Sequence, residues 1–133
     1  MKPQAVVFDL DGTLIDSLPD VTAALNFALG PGNEKELKIS DVRSMIGQGA
    51  EPMIRLALGL INKPVVSPGK EIVLKRFMGR YVEFPNVLTK IYPGVFEVLD
   101  NLRSAKEKLG VCKNKQTLTT QPDLSAQGLD IYI

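Results

Sequence analysis

A short apolar strand is predicted close to the N-terminus. Residues 5–8 read Ala-Val-Val-Phe, with no polar position among them. A strand that is covered on both faces shows no alternation of apolar and polar residues, so this run predicts a buried strand of a parallel sheet. A similar run, Leu109 to Cys112, predicts a second buried strand, and Cys112 itself is expected in the core.

Between these two runs, apolar residues recur at helical spacing. Helices are predicted from Pro19 to Leu29, Ser40 to Met45, Pro52 to Leu60, Lys70 to Phe84 and Pro93 to Leu102. The expected buried faces include Met53, Leu56, Ala57 and Leu60 in one helix, and Val95, Val98, Leu99 and Leu102 in the last. Residues 85–94 are predicted to form a linker, and at most one short strand, 129–133, fits in the polar tail.

Composition excludes several classes of chemistry. The 133 residues contain no histidine, which excludes Ser-His-Asp and Cys-His catalysis and His-ligated zinc, and leaves carboxylates as the leading acid–base groups. The net charge is only +1 and the basic residues are dispersed, so neither a nucleic-acid partner nor a membrane partner is expected. A single cysteine and the lack of a signal-peptide pattern favour the reducing cytoplasm.

Two carboxylates follow the first predicted strand. Asp9 and Asp11 are two residues apart and can face one crevice, and ligands of open parallel sheets bind beyond the carboxyl ends of strands. Two acids in different environments can act as an ionised nucleophile and a proton carrier. Gly12 permits a sharp turn that exposes amides toward an anion. An EF-hand calcium loop is excluded because the glycine is fourth rather than sixth, whereas an ordinary acidic surface turn remains an alternative.

The string DLDGTLIDS, residues 9–17, resembles the first motif of the haloacid dehalogenase superfamily, DxDGTLxDS. The segments VRSMIGQGAEPMIRLAL, YPGVFEVLDNLR and LGVCKNK are similar, in the same order, to segments of phosphoglycolate phosphatases. This resemblance implies an α/β fold with a partial Rossmann-like parallel sheet core and an inserted all-helical cap. Residues 1–16 and 88–133 would form the incomplete core and residues 17–87 the cap, with Ser17 helping to start the first cap helix.

The same resemblance implies roles for individual residues. Asp9 would be the nucleophile and Asp11 the general acid–base, with Mg²⁺ held by the Asp9 carboxylate and the Asp11 backbone carbonyl. Phosphate or substrate contacts would come from Gly12, Thr13, Asn114, Lys115, Gly47 and Gly49, although the last two are equally well explained as a helix break. The implied enzyme is a magnesium-dependent phosphatase acting on a small phosphorylated metabolite, 2-phosphoglycolate foremost, through an aspartyl-phosphate.

The chain departs from this pattern in its last part. Lys113 stands where the second motif has a Thr or Ser, and the tail after Asn114 is too short for the third-motif lysine and the fourth-motif acidic pair. Asp123 and Asp130 do not end an apolar strand, so no metal-binding role is assigned to them.

Those departures leave other functions open. One alternative is a catalytically inactive remnant that binds phosphate or a partner, and a second is a sugar-phosphate mutase on the same fold. The predicted sheet is short and has exposed edges, which invite pairing with another chain. A homodimer, a strand-swapped dimer or association with the missing half is therefore expected.

Overall fold

The computed structural model describes residues 5–30, 35–63, 69–84, 86–112 and 124–133. Its elements in chain order are β1 Ala5–Asp9, β2 Ile15–Asp16, α1 Leu18–Leu29, α2 Ile39–Arg43, α3 Ala50–Leu60, α4 Gly69–Glu83, β3 Lys90–Ile91, α5 Val95–Ser104 and β4 Lys108–Cys112. The chain divides into two compact units: a sheet unit, Met1–Ser17 with Leu88–Ile133, and a helical unit, Leu18–Val87. The expected division into a core, residues 1–16 and 88–133, and a cap, residues 17–87, stays a prediction.

The sheet unit is built on a parallel pair of strands. β1 pairs with β4 in a register that sets Val7 beside Gly110 and Asp9 beside Cys112. Helix α5 leads into β4 and contacts it. A parallel pair of strands needs a long crossover connection, which here contains the whole helical unit and α5. The predicted α/β class with a parallel sheet is confirmed.

Among the described residues, the apolar cluster of the sheet unit covers one face of this sheet. Phe8, Leu109 and Val111 pack against a cluster that includes buried Leu99. On the other face Val7 is 62% exposed, so the prediction that both faces are buried is wrong. An apolar run shows that the residues tolerate burial, but it does not show that anything packs on each side. Cys112, predicted in the core, is exposed for the same reason.

A second, antiparallel pair of strands was not predicted. Ile15 pairs with Ile91 and Asp16 with Lys90, and the Tyr92 N–H donates to the Leu14 carbonyl at 3.1 Å. The predicted linker 85–94 therefore contains β3. Two-residue strands are too short to show a period of two, and this pairing depends on contacts between residues that are distant in sequence.

The helical unit has its own apolar core. α1 packs against α2 and α4, and α3 packs against α4, around a centre in which Leu25, Val42 and Ile54 are fully buried. The Asn26 side chain fastens the segment after α1, because its Oδ1 accepts the Leu37 N–H and its Nδ2 donates to the Leu37 carbonyl, both at 2.9 Å. No described helix has the length and apolar character needed to cross a membrane.

The buried faces of two helices differ from the predicted ones. In α3, Leu56 is 51% exposed, whereas Leu58 is 5% exposed and takes its place in the core. In α5, Val98 is 49% exposed although Leu99 is fully buried. Both helices carry runs of consecutive apolar residues, and the sequence alone does not indicate which residues of each run face the core.

The C-terminal segment packs on α5 without forming a strand. Residues 124–126 make one helical turn, and turns follow to residue 132, so no strand forms at 129–133. Leu124 and Leu129 are buried in the same cluster as Leu99. The Tyr132 hydroxyl donates to Oδ1 of Asp100 at 2.5 Å, which ties the end of the described chain to α5.

Candidate active site

The motif that follows β1 folds into a tight turn around one carbonyl group. Leu10 is fully buried, and its carbonyl accepts the N–H groups of Thr13, Leu14 and Ile15 at 3.3, 3.0 and 3.1 Å. Gly12 has a φ of +82°, a left-handed conformation that side chains with a Cβ adopt at a cost, and this allows the chain to reverse. The side chains of Leu14 and Ile15 are buried in the apolar cluster of the sheet unit and anchor the turn there. The acidic residues are therefore held at the end of β1.

Asp9 is the last residue of β1 and its side chain is exposed. Its Oδ1 accepts the N–H of Leu10 at 2.9 Å, so the carboxylate is oriented by the backbone of the turn. The carboxyl end of a parallel strand is the usual ligand-binding edge of an open α/β sheet. The predicted nucleophile therefore lies at a place that a small solute can reach.

Asp11 is held by a residue that follows β2. The Ser17 hydroxyl donates to Oδ1 of Asp11 at 2.5 Å, and Ser17 is only 5% exposed. Antiparallel pairing of β2 with β3 places Ser17 where it can reach back across the turn. From its sequence position Ser17 is expected to help start a helix, and its hydrogen bond to Asp11 was not predicted. The sequence feature that pointed to this contact is that Ser17 and Asp11 belong to the same motif, residues 9–17.

The amides of the turn donate within the turn itself. The Gly12 N–H donates to the Ile15 carbonyl at 2.8 Å and the Thr13 N–H to the Leu10 carbonyl. An anion that used these two amides would have to replace those bonds, whereas the exposed Thr13 side chain offers a hydroxyl without such a change. Phosphate binding by Gly12 and Thr13 stays a prediction.

The other predicted contact residues lie in the helical unit or outside the described residues. Gly47 and Gly49 belong to the helical unit, between α2 and α3, with φ values of +119° and +99°. Their conformations account for the break between these helices, and a substrate role stays a prediction. Asn114 and Lys115 lie outside the described residues, as do Lys113 and Asp123.

The oxygen atoms that Asp9 and Asp11 offer are suitable ligands for a hard cation. Mg²⁺ is commonly held by one or two carboxylates with waters and substrate phosphate, and both the Asp9 carboxylate and the Asp11 carbonyl are oxygen donors. Within the described part of the chain, no group of three His, Cys, Asp or Glu residues comes together to hold a metal. These residues would therefore supply only part of a magnesium site.

Comparison with known proteins relates this turn to a family of enzymes. Residues 3–133 match the model of the haloacid dehalogenase-like hydrolases. The chain is similar to the phosphoglycolate phosphatase of Caulobacter vibrioides, 36% identical over 127 residues that make up 96% of this chain and 54% of that protein. It is also similar to the phosphoglycolate phosphatase of Cereibacter sphaeroides, 34% identical over 93% of this chain and 57% of that protein.

A solved structure has a similar fold. The crystal structure of a predicted phosphoglycolate phosphatase from Haemophilus somnus superposes with a TM-score of 0.87 and 31% identity, covering 98% of this chain and 60% of that one. The chain thus spans somewhat more than half the length of the relatives that it matches. With the match extending from residue 3 to residue 133, this chain belongs to the haloacid dehalogenase-like hydrolase family.

Proposed function

We propose that this chain carries the nucleophile and the proton carrier of a phosphatase that hydrolyses small phosphate monoesters, 2-phosphoglycolate foremost. The observation that carries the proposal is the pair of acids at the end of β1, with Asp9 exposed and Asp11 held by buried Ser17. The substrate is suggested by the relatives, which are named phosphoglycolate phosphatases. A soluble metabolite of the cytoplasm is the substrate class that fits this proposal.

The first step transfers the phosphoryl group to the protein. A carboxylate oxygen of Asp9 attacks phosphorus and forms a new P–O bond, while the bond from phosphorus to the substrate oxygen breaks. Asp11 gives its proton to that leaving oxygen, which departs as an alcohol such as glycolate. The products of this step are an aspartyl-phosphate at Asp9 and an ionised Asp11.

The second step returns the site to its starting state. Asp11 takes a proton from a water molecule, and the water oxygen attacks the phosphorus of the aspartyl-phosphate. Inorganic phosphate leaves, the Asp9 carboxylate is free again, and Asp11 is reprotonated. The bond from Ser17 keeps the Asp11 side chain in one place between the two proton transfers.

The Asp9 carboxylate and the Asp11 carbonyl would hold Mg²⁺, which supplies positive charge that reduces the repulsion between a carboxylate and a phosphate dianion. The described residues bring no third acid to this place. Electrostatic stabilisation is usually the largest catalytic contribution, and one lost donor costs on the order of 10²–10³ in rate. A low turnover is therefore expected.

The incomplete donor set also favours a second function, a catalytically inactive module that binds phosphate. In that case the exposed Asp9 and the turn around Leu10 would keep the geometry of the phosphate site but would not catalyse hydrolysis. Binding of inorganic phosphate without any turnover is the behaviour that separates this function from the first.

The test is release of phosphate from 2-phosphoglycolate and from an aryl phosphate, with and without added Mg²⁺. The unchanged chain is compared with Asp9→Asn, and with Asp130→Asn as a control at an exposed acid far along the sequence. Turnover that requires Mg²⁺, disappears in Asp9→Asn and persists in Asp130→Asn supports the phosphatase. Background rates in all three, together with phosphate binding by calorimetry, support the binding module.

A further inference from the structure

The outward side of α4 has a glycine at its centre. The buried side chains of this helix are Phe77 and Tyr81. Gly79 lies midway between them in sequence and, with about 3.6 residues per turn, on the opposite side of the helix, where it is exposed. On either side of it along α4, Ile72 is 47% and Val82 is 42% exposed. Two large apolar side chains therefore accompany a glycine on the exposed side of α4.

The surroundings of Gly79 within the described chain do not require a glycine. Glycine in the interior of a helix lowers stability relative to alanine, because its backbone loses more freedom on folding. Gly79 has no positive φ, and a β-carbon at this position would meet no atom within 4 Å. Close approach of another backbone is the remaining structural use of glycine, and on this exposed side that backbone has to come from another molecule.

Two charged residues lie on either side of Gly79 along the helix. Arg76 precedes it by three residues and Glu83 follows it by four, and both are exposed. Among the described residues neither has an ion-pair partner. Their separation of seven residues is two turns, or about 10 Å along the axis, so they share one side of the helix but are too far apart to pair with each other.

A second copy of α4, running antiparallel, would supply a partner for both charges. With a two-fold axis at Gly79, Arg76 of one copy comes within one residue of the level of Glu83 of the second copy, on the same side of the contact. The symmetry forms this ion pair twice. On the other side, Val82 comes beside the aliphatic stem of Lys75 from the second copy. The two glycines at the axis allow the helices to approach to the short end of the usual range of about 8–10 Å.

We propose that α4 is the contact surface of a homodimer in which two copies of this chain pair antiparallel across Gly79. An unrelated partner would have to match both charges at this spacing, whereas a second copy carries both. A contact along one helix of 15 residues covers less than the ~800 Å² per partner of a standard interface, so the dimer is weak and depends on concentration. A homodimer was expected from the sequence through open sheet edges, and α4 offers a different surface for it. The pairing goes beyond the proposed function, since it requires no turnover.

Reversal of the charges tests the pairing directly. Sedimentation equilibrium over a range of concentrations compares the unchanged chain with Arg76→Glu, with Glu83→Arg and with the double variant. Each single reversal should weaken the dimer roughly tenfold or more, because it sets like charges opposite each other twice. The double variant exchanges the two charges and should restore most of the affinity. Arg43→Glu, at an exposed arginine of α2 in the same helical unit, is the matched control and should leave the affinity unchanged.

Alanine at the axis tests the close approach. Gly79→Ala should weaken the dimer, because two β-carbons would separate the helices, yet it should raise the Tm of the dilute, monomeric chain. The control is Gly59→Ala in α3, where a β-carbon would also meet no atom within 4 Å. It should leave the dimer affinity unchanged. A purely structural effect of Gly79→Ala would move Tm without moving the affinity.

A chain that stays monomeric at every concentration would overturn the proposal. So would a dimer that keeps its affinity in Arg76→Glu and Glu83→Arg, since another surface would then hold it. A double variant as weak as the single ones would show that these charges do not meet across the axis, and would also overturn it. All these readouts measure association or stability, so the dimer can fail while the phosphatase is active and can form while the phosphatase is inactive.

Discussion

The Ser17 hydroxyl donates a hydrogen bond to Oδ1 of Asp11 at 2.5 Å, across a turn of six residues. The serine is buried and the aspartate is partly buried, so the pair lies at the boundary between the sheet unit's core and its surface. A hydroxyl donor with so little exposure has few alternative positions, and an acceptor that it reaches is held with it. Ser17 therefore fixes the position of the acid that the proposed mechanism uses twice.

Removing this hydroxyl should impair proton transfer more than it impairs folding. With Ser17→Ala, we expect the rate on an alkyl phosphate to fall roughly tenfold or more, because the proton carrier is less well positioned. An aryl phosphate has a better leaving group and should lose less. Steady-state kinetics on both substrates measure the difference, and Ser17→Thr, which keeps the hydroxyl, should restore most of the rate. Equal losses on both substrates would indicate a purely structural effect.

A pair of leucines in α3 tests which face of that helix is buried. Leu58 is 5% exposed, so Leu58→Ala should lower the free energy of unfolding by about 2–5 kcal/mol through lost burial and a residual cavity. Leu56→Ala removes the same atoms from a side chain that is 51% exposed, and should cost less than about 1 kcal/mol. Urea unfolding of both variants gives the comparison. A larger loss at Leu56 would contradict the packing of α3 described above.

Substitution by alanine should lower the stability of the protein at one glycine and raise it at another. Gly12 has a φ of +82°, and Gly12→Ala should destabilise the protein by about 1–2 kcal/mol although its Cβ would meet no atom within 4 Å. Gly79 lies inside α4, also with open space around a Cβ and without positive φ, so Gly79→Ala should stabilise by about 0.5–1 kcal/mol. Thermal unfolding distinguishes the two. A neutral Gly12→Ala would show that the turn tolerates another conformation.

Stability should depend on pH through Tyr132. The hydrogen bond to Asp100 raises the pKa of the Tyr132 phenol above its usual value of 10, because ionisation would set two negative charges side by side. A raised pKa in the folded state means that this contribution is complete below pH 10 and is lost as pH rises through the folded-state pKa. Thermal unfolding from pH 9 to 11 should therefore show a steeper loss in the unchanged protein than in Tyr132→Phe. Parallel curves would mean that Tyr132 is not held by Asp100 in solution.

Much of the local structure could be predicted from the sequence. The apolar run before Asp9 predicts β1, the apolar spacing after Pro93 predicts α5, and the order of strands and helices predicts an α/β fold. These features depend on residues within one or two turns of each other, and a single segment carries the information. The position of the acidic pair, Asp9 and Asp11, could be predicted in the same way, because both residues belong to one contiguous motif, residues 9–17.

Only the tertiary structure decided which surfaces are covered and which groups meet. Leu58 rather than Leu56 enters the core, Val7 and Cys112 remain exposed, and β2 pairs with β3 across a distance of more than 70 residues. Each outcome depends on what packs, or does not pack, opposite a segment, and the residues that do so are far away in the sequence. The bond from Ser17 to Asp11 joins residues only six positions apart, but it too depends on the folded turn around Leu10. Local sequence thus specifies the helices, the strands β1 and β4 and the place of the acidic motif, whereas long-range packing specifies the short strands β2 and β3 and the buried face of each element.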